Sequence, residues 1–210
     1  MAGTEHFDQA AATWDQEDRR VALARDVAQA IAQRIPLSKQ MAVLDFGCGT
    51  GLVSLDLGPR VGSIAGADSS PGMLKTLAEK AQAAGVPVRP VPLDTSGGGD
   101  LGGPYDLIVS SMTLHHVADV PGLFRRLAQQ LRPGGKVALA DLDEEDGSFH
   151  EEGVPIQHRG FPRERVQAWL KEAGFQDIQL RTAAITHKAG KDYPVFLATA
   201  QAGPAVRPAG

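Results

Sequence analysis

Apolar residues at Val21, Ala24, Ala28, Ile31 and Ile35 recur at three- and four-residue spacings, which stacks them on one face of a helix. Pro36 cannot continue that helix and ends it. Ahead of it, Thr4 to Asp15 is a polar segment carrying two aromatics, Phe7 and Trp14. Met41 to Phe46 is a short apolar run that opens at once onto a glycine-rich turn, as a buried strand entering a helix does. Val61 to Ala67 repeats the pattern and ends at Asp68. Ser70-Pro71 then supplies an N-cap and a proline at the first helical position, Leu74, Leu77, Ala78 and Ala81 the apolar face, and Gly85 the stop.

Val86 to Leu93 reads as a third strand, with Pro87, Pro90 and Pro92 counting against a central position. Thr95 to Pro104 is a loop or a very short helix. Tyr105 to Ser111 is a fourth strand. Leu123, Phe124, Leu127 and Leu131 mark a helix closed by Pro133-Gly134-Gly135, and Val137 to Leu142 is a fifth strand. A further helical face follows at Val166, Trp169, Leu170 and Ala173, stopped by Gly174. Ile178 and Leu180 alternate with polar residues, Val195 to Ala200 is the last strand, and a turn around Gly190-Lys191 makes these two a hairpin.

Repeated strand–helix units imply an α/β protein with a mostly parallel, Rossmann-like sheet covered by helices on both faces, with the C-terminal antiparallel hairpin at its edge. Neither an internal repeat nor a second composition regime divides the chain. The expectation is one domain over residues 1–201, its first 36 residues an N-terminal helix and covering segment, followed by a disordered Pro/Gly-rich tail over 202–210.

Composition narrows the function classes. The 210 residues are 42% hydrophobic and 22% charged, ordinary for a globular protein. Lys and Arg total 21 against 25 Asp and Glu, a net charge of −4, which argues against nucleic acid as a partner. The single cysteine, Cys48, excludes an internal disulfide and disfavours a cysteine-built zinc site. No apolar run approaches the roughly 20 residues that span a bilayer, and Met1 to Phe7 has no secretory pattern. A cytoplasmic enzyme is the expectation.

The informative stretch is Val43-Leu44-Asp45-Phe46-Gly47-Cys48-Gly49-Thr50-Gly51. Alternate glycines after a buried strand let the backbone turn sharply and admit a ligand where a Cβ would stand. A carboxylate at Asp68, 21 residues beyond Gly47 at the end of the next strand, suits ribose hydroxyls. The spacing is G-x-G-x-G, however, not the dinucleotide fingerprint G-x-G-x-x-G, and Asp45 would oppose a pyrophosphate. An acid there favours a ligand without phosphate and with a positive end, such as S-adenosylmethionine, over NAD.

With these residues in view, the chain resembles the class I S-adenosylmethionine-dependent methyltransferases, in particular the small-molecule, type 11/12-like members. Val43 to Gly51 is similar to that family's first motif. Gly66-Ala67-Asp68-Ser69-Ser70-Pro71-Gly72-Met73-Leu74 is similar to its acidic second-strand segment, and Leu93-Asp94 stands at its adenine-binding acid. Tyr105 to Ser111 with Leu114-His115-His116-Val117 resembles its fourth-strand motif, and Leu131-Arg132-Pro133-Gly134-Gly135-Lys136 its turn into the fifth strand. These motifs cover residues 43–142, about half the chain, in the family's order.

The resemblance implies a seven-stranded sheet and S-adenosyl-L-methionine as cofactor. It implies that Gly47, Gly49 and Gly51 pass under the methionine moiety, with Asp45 facing its amino-acid end. Asp68 would hold the ribose hydroxyls, Ser69 and Met73 would flank the adenine, Asp94 would accept from the adenine amino group, and Ser110 would contact methionine or substrate. The family's planar-amine motif after the fourth strand is replaced by Ser110-Ser111-Met112-Thr113, which, with the net acidity, points away from DNA and RNA.

Methyl transfer needs a base only where the nucleophile still carries its proton. His115 and His116 are the candidates; pinning the loop by hydrogen bonds to backbone is their plainer role. His150 and His158 fall in the segment where the resembled family binds substrate, and a surface position is their plainer reading. Asp141 to Glu152 holds seven carboxylates in twelve residues, read as a solvated loop or a selector of cationic substrates. Asp143 is the acid best placed to face a pocket, and no spacing matches a metal site. Phe7 and Trp14 either close over the cofactor or pack on the sheet. The expected partner is a small-molecule acceptor, with no membrane or nucleic acid, and the protein a monomer or homodimer. Two alternatives stand beside methyl transfer: an NAD(P)-linked oxidoreductase, and a cofactor-binding partner protein without turnover.

Overall fold

The computed structural model describes residues 4–94, 99–151 and 153–203. The polar N-terminal segment forms a short helix, α1 (Thr4–Ala10), and a single 3₁₀ turn (Trp14–Gln16). The periodic stretch that follows is α2 (Asp18–Arg34). Its buried face is Leu23, Ala24, Val27, Ala28 and Ile31, so Leu23 and Val27 carry what was expected of the half-buried Val21.

The alternating units then follow: β1 (Ala42–Phe46), α3 (Leu52–Leu57), β2 (Ser63–Asp68), α4 (Pro71–Ala84), β3 (Val88–Pro92), β4 (Tyr105–Ser111) and α5 (Val120–Gln129). The chain ends with β5 (Leu131–Leu142), α6 (Arg163–Glu172), β6 (Phe175–Lys188) and β7 (Lys191–Ala202). The start of α4 matches its sequence signature: the Ser70 hydroxyl accepts the Met73 N–H at 3.1 Å, Pro71 opens the helix, and left-handed Gly85 closes it.

Seven strands form one sheet in the order β3-β2-β1-β4-β5-β7-β6. β1 pairs in parallel with β2 (Leu44 opposite Ala65) and with β4 (Leu44 opposite Ile108). Only β7 runs antiparallel to its neighbours β5 and β6. Ala189 and Gly190, both at positive φ (51° and 77°), turn β6 into β7 with Lys188 opposite Lys191. The prolines of β3 are tolerated because it is the sheet's outer strand, paired on one side only.

Alternate side chains of the strands feed two cores. Leu44, Phe46 and Ile108 pack with α5 and α6, whereas Val43, Leu107 and Val109 pack with α2 and α3. Burial on both faces is what a central parallel strand requires. Among the described residues no helix is long and apolar enough to cross a membrane.

Three expectations are corrected. Leu131 belongs to β5, not to the preceding helix, because it pairs with Tyr105. Pro133-Gly134-Gly135 is accordingly part of a bulge inside β5, where Leu131 and Lys136, five positions apart, pair with Tyr105 and Leu107, two positions apart on β4. Ala202 is not tail: it pairs with Phe175, and the Gly203 N–H donates to Gly174 at 3.1 Å. Residues 204–210, and 95–98 of the loop expected before β4, lie outside the described residues.

Candidate active site

The chain leaves β1 and β4 on opposite sides of the switch in strand order, and the crevice at their carboxyl ends is where such sheets bind ligands. A cavity of about 290 Å³ opens there. Its floor is the loop after β1, its sides are the ends of β2 and β4, and its cover is α1, the 3₁₀ turn and the start of α2.

The three glycines of the loop do different work. At Gly49 (φ +53°) an added Cβ would meet only the Met73 sulfur at 4.0 Å, so its bare face is open to the cavity. At Gly47 a Cβ would stand 2.2 Å from the Thr113 side chain, and at Gly51 2.2 Å from Leu77 Cδ1. Gly51 does not line the cavity; it lets the loop lie against α4 and starts α3 in a left-handed conformation.

Asp68 closes the loop from the side. Its Oδ2 accepts the Gly49 N–H and its Oδ1 the Ser70 N–H, each at 2.9 Å. Burial raises its pKa, and these backbone donors oppose the rise. Each oxygen keeps a lone pair for a ligand. Asp45 lies deeper, its carboxylate taking the Ser54 hydroxyl at 2.6 Å. Burial pushes its pKa up to about 7, with the Asp68 charge adding to the rise. A cation in the cavity would therefore find two carboxylates, one of them poised to lose its proton. Ser69 and Met73 also line the cavity, and so does Cys48, whose thiol burial drives well above its ordinary range.

His115 and His116 sit on a 3₁₀ turn (Leu114–His116) after β4, and both line the cavity. Nδ1 of His115 lies 2.7 Å from Oδ1 of Asp141, the last residue but one of β5, and the His115 backbone N–H reaches Oδ2 at 3.3 Å. Burial alone would raise the Asp141 carboxyl, but the facing His115 and two backbone donors outweigh it and hold it below its ordinary value. Nδ1 is committed, so Nε2 is the ring nitrogen available to a ligand. His116 donates from Nδ1 to the Pro155 carbonyl at 2.7 Å, and burial, then the neighbouring His115, depress its pKa to about 3. His150 stacks 4.6 Å from His115 and is held to about 4, first by burial.

Four further residues expected at the site stand outside the cavity. Ser110 donates its hydroxyl to Phe46 at 2.7 Å, tying β4 to β1 from within the core. Asp143 is held by Nε and Nη2 of Arg163, each at 2.7 Å, and its backbone bridges to Phe161. His158 donates from Nε2 to the Val117 carbonyl at 3.0 Å and pins the loop to the turn after β4. Asp94 is exposed beyond β3 and does not line the cavity. Among the described residues no cluster of side chains could hold a metal ion.

The N-terminal cover is tied down by polar contacts that sequence reasoning missed. Asp8 takes the Gly72 N–H at 2.9 Å and the Ser70 hydroxyl. Asp15 takes the Thr50 hydroxyl at 2.6 Å and the Lys80 ammonium. Phe7 packs edge-on against Trp14 and against His116. Arg19, Phe149 and Lys188 also reach the cavity, although no local motif marks them.

The model of a methyltransferase domain family matches residues 16–180 of this chain. An uncharacterized methyltransferase of Schizosaccharomyces pombe is 29% identical over 156 residues, 67% of this chain and 55% of the relative. The ubiquinone biosynthesis O-methyltransferase of Rhizobium johnstonii is 32% identical over 128 residues, 59% of this chain and 52% of the relative. The chain thus spans about half the length of these curated relatives. A solved S-adenosylmethionine-dependent methyltransferase from Clostridium acetobutylicum superposes with a TM-score of 0.68 at 16% identity, covering 95% of this chain and all of that one, a likeness of fold.

Proposed function

This chain belongs to the methyltransferase domain family, within the class I S-adenosylmethionine-dependent methyltransferases, and from that premise we propose that it transfers a methyl group to a small-molecule acceptor. The observation that carries the reading is the loop after β1: Asp68 grips it through the Gly49 N–H, and the bare face of Gly49 opens on a cavity with two carboxylates. S-adenosylmethionine fits this donor set. When bound it supplies an electrophilic methyl on a sulfonium, a group that leaves as a neutral thioether.

Asp68 binds the ribose hydroxyls, Met73 and Ser69 line the adenine side, and Asp45 meets the ammonium of the amino-acid end. The N-terminal segment through the 3₁₀ turn is a lid, held by Asp8 and Asp15, that keeps water from the transfer site. Holding the acceptor in line is most of the catalytic task. His115 takes the acceptor's proton at Nε2, and Asp141 stabilises the imidazolium that results. His116, at about 3, is too weak a base for that role and serves the loop instead.

The dinucleotide alternative loses ground because Asp45 and Asp68 would face a pyrophosphate with like charge. The net charge of −4 supports a small acceptor over nucleic acid, and we place the protein in the cytoplasm as a monomer or homodimer. The test is transfer of labelled methyl from S-adenosylmethionine to a panel of small phenols, alcohols, thiols and amines. Label in one acceptor class supports the proposal; none in any class, with S-adenosylhomocysteine bound, supports a partner protein without turnover.

A further inference from the structure

Most of the acidic run from Asp141 onward is engaged away from the cavity. Asp141 is spent on His115, Asp143 on Arg163 and Asp146 on Lys191, while Glu145 accepts the Gly147 and Phe149 N–H groups at Oε2 and leaves Oε1 buried without a partner. Of that run, among the described residues, only Glu151 lines the cavity with a carboxylate, and it is 78% exposed.

Cations face it instead. Arg19, Arg20 and Lys188 all line the cavity. Both arginines share one carboxylate, Glu17: Nε and Nη2 of Arg19 meet its Oε1, and Nε of Arg20 its Oε2. Lys188 donates to the Phe149 carbonyl, with Glu151 no nearer than 3.7 Å. Glu17 and Glu151 are the carboxylates that these three cations approach. Arg19 and Lys188 converge on one ring, their charges 5.2 and 5.7 Å from the centroid of Phe149. Phe149 in turn packs on His150, whose Nε2 is buried without a partner. The cations are felt there: Lys188 and Arg19, with His115, help depress His150, while Asp141 opposes them. Asp45 and Asp68 act on each other at the glycine loop, so the cavity is acidic at one end and basic at the other.

We propose that the acceptor carries a carboxylate or phosphate group held by Arg19 and Lys188 with a hydrogen bond from His150 Nε2. This places its nucleophile beside His115, and it rests on the methyltransferase reading above. A neutral His150 donates to an oxyanion where two cations already neutralise the charge.

The experiment titrates the full chain, with and without S-adenosylhomocysteine, with inorganic phosphate, benzoate and benzamide. It follows heat and the His150 ring resonances, assigned with His150→Gln. Phosphate or benzoate should bind and raise the His150 pKa by about one unit, since an adjacent anion favours imidazolium; benzamide should do neither. Which anion binds more tightly identifies the headgroup. Arg19→Gln/Lys188→Gln should weaken anion binding about tenfold or more while S-adenosylhomocysteine binds as in the parent. Lys188→Met alone should show a smaller loss should the double variant fold poorly. Benzamide binding as well as benzoate, or anion binding untouched by the variants, would overturn the proposal. Anion binding with no binding of S-adenosylhomocysteine would overturn its premise instead.

Discussion

Oδ1 of Asp141 lies 2.7 Å from Nδ1 of His115, and both side chains are buried at the edge of the cavity. The pair fixes the tautomer that presents Nε2 and keeps a negative charge ready for the imidazolium. Asp141→Asn or His115→Gln should therefore slow transfer to a protonated hydroxyl acceptor by about 10²–10⁴-fold. An acceptor already ionised at the assay pH, such as an acidic thiol, should lose far less. Equal losses for both acceptors, measured as kcat at saturating cofactor, would make the pair structural.

The glycines of the loop separate folding from binding. Gly49→Ala places a methyl in open cavity space at a cost of about 1–2 kcal/mol for the left-handed backbone. Gly47→Ala drives a Cβ to 2.2 Å from Thr113 and should cost more stability. Denaturant melts and calorimetry on the two variants should show Gly49→Ala losing ligand affinity with modest destabilisation. Gly47→Ala should be the less stable of the two.

Asp45 gives a pH signature. Its folded pKa is raised from 3.8 to about 7, so the free protein binds a proton there that the unfolded chain gives up near 4. Its contribution to stability is complete below about 4 and is lost as pH rises toward 7. An ammonium beside it favours the carboxylate, so binding S-adenosylhomocysteine, which carries one at its amino-acid end, should release a proton at about pH 6.5. Calorimetry in two buffers of different ionisation enthalpy should detect the release, and Asp45→Asn should abolish it.

Where a residue's job is local, the sequence was readable. Ser70, Pro71 and Gly85 announced α4 because capping is a short-range matter, and the strand–helix alternation around Gly47–Gly51 announced the sheet. Where a job depends on distant partners, it was hidden. Ser110 looked like a site residue until Phe46, 64 positions away, took its hydroxyl. Asp143 looked cavity-facing until Arg163 claimed it. Leu131 kept the helical spacing of Leu123 and Leu127, and only its pairing with Tyr105 assigns it to a strand. Arg19 and Lys188 reach the cavity from α2 and the tip of β6, elements that meet only in the fold, so no spacing joins them.

The central claim is that the Asp68-gripped glycine loop is the floor of an S-adenosylmethionine site. Isothermal titration with S-adenosylhomocysteine and NADH, on the parent and on Asp68→Ala, tests it most directly. Micromolar binding of the first and none of the second is predicted, with a loss of about 10–100-fold in the variant as charged-acceptor hydrogen bonds of about 1.5–3 kcal/mol disappear. Binding of NADH in place of S-adenosylhomocysteine, or an affinity unchanged by Asp68→Ala, would contradict it.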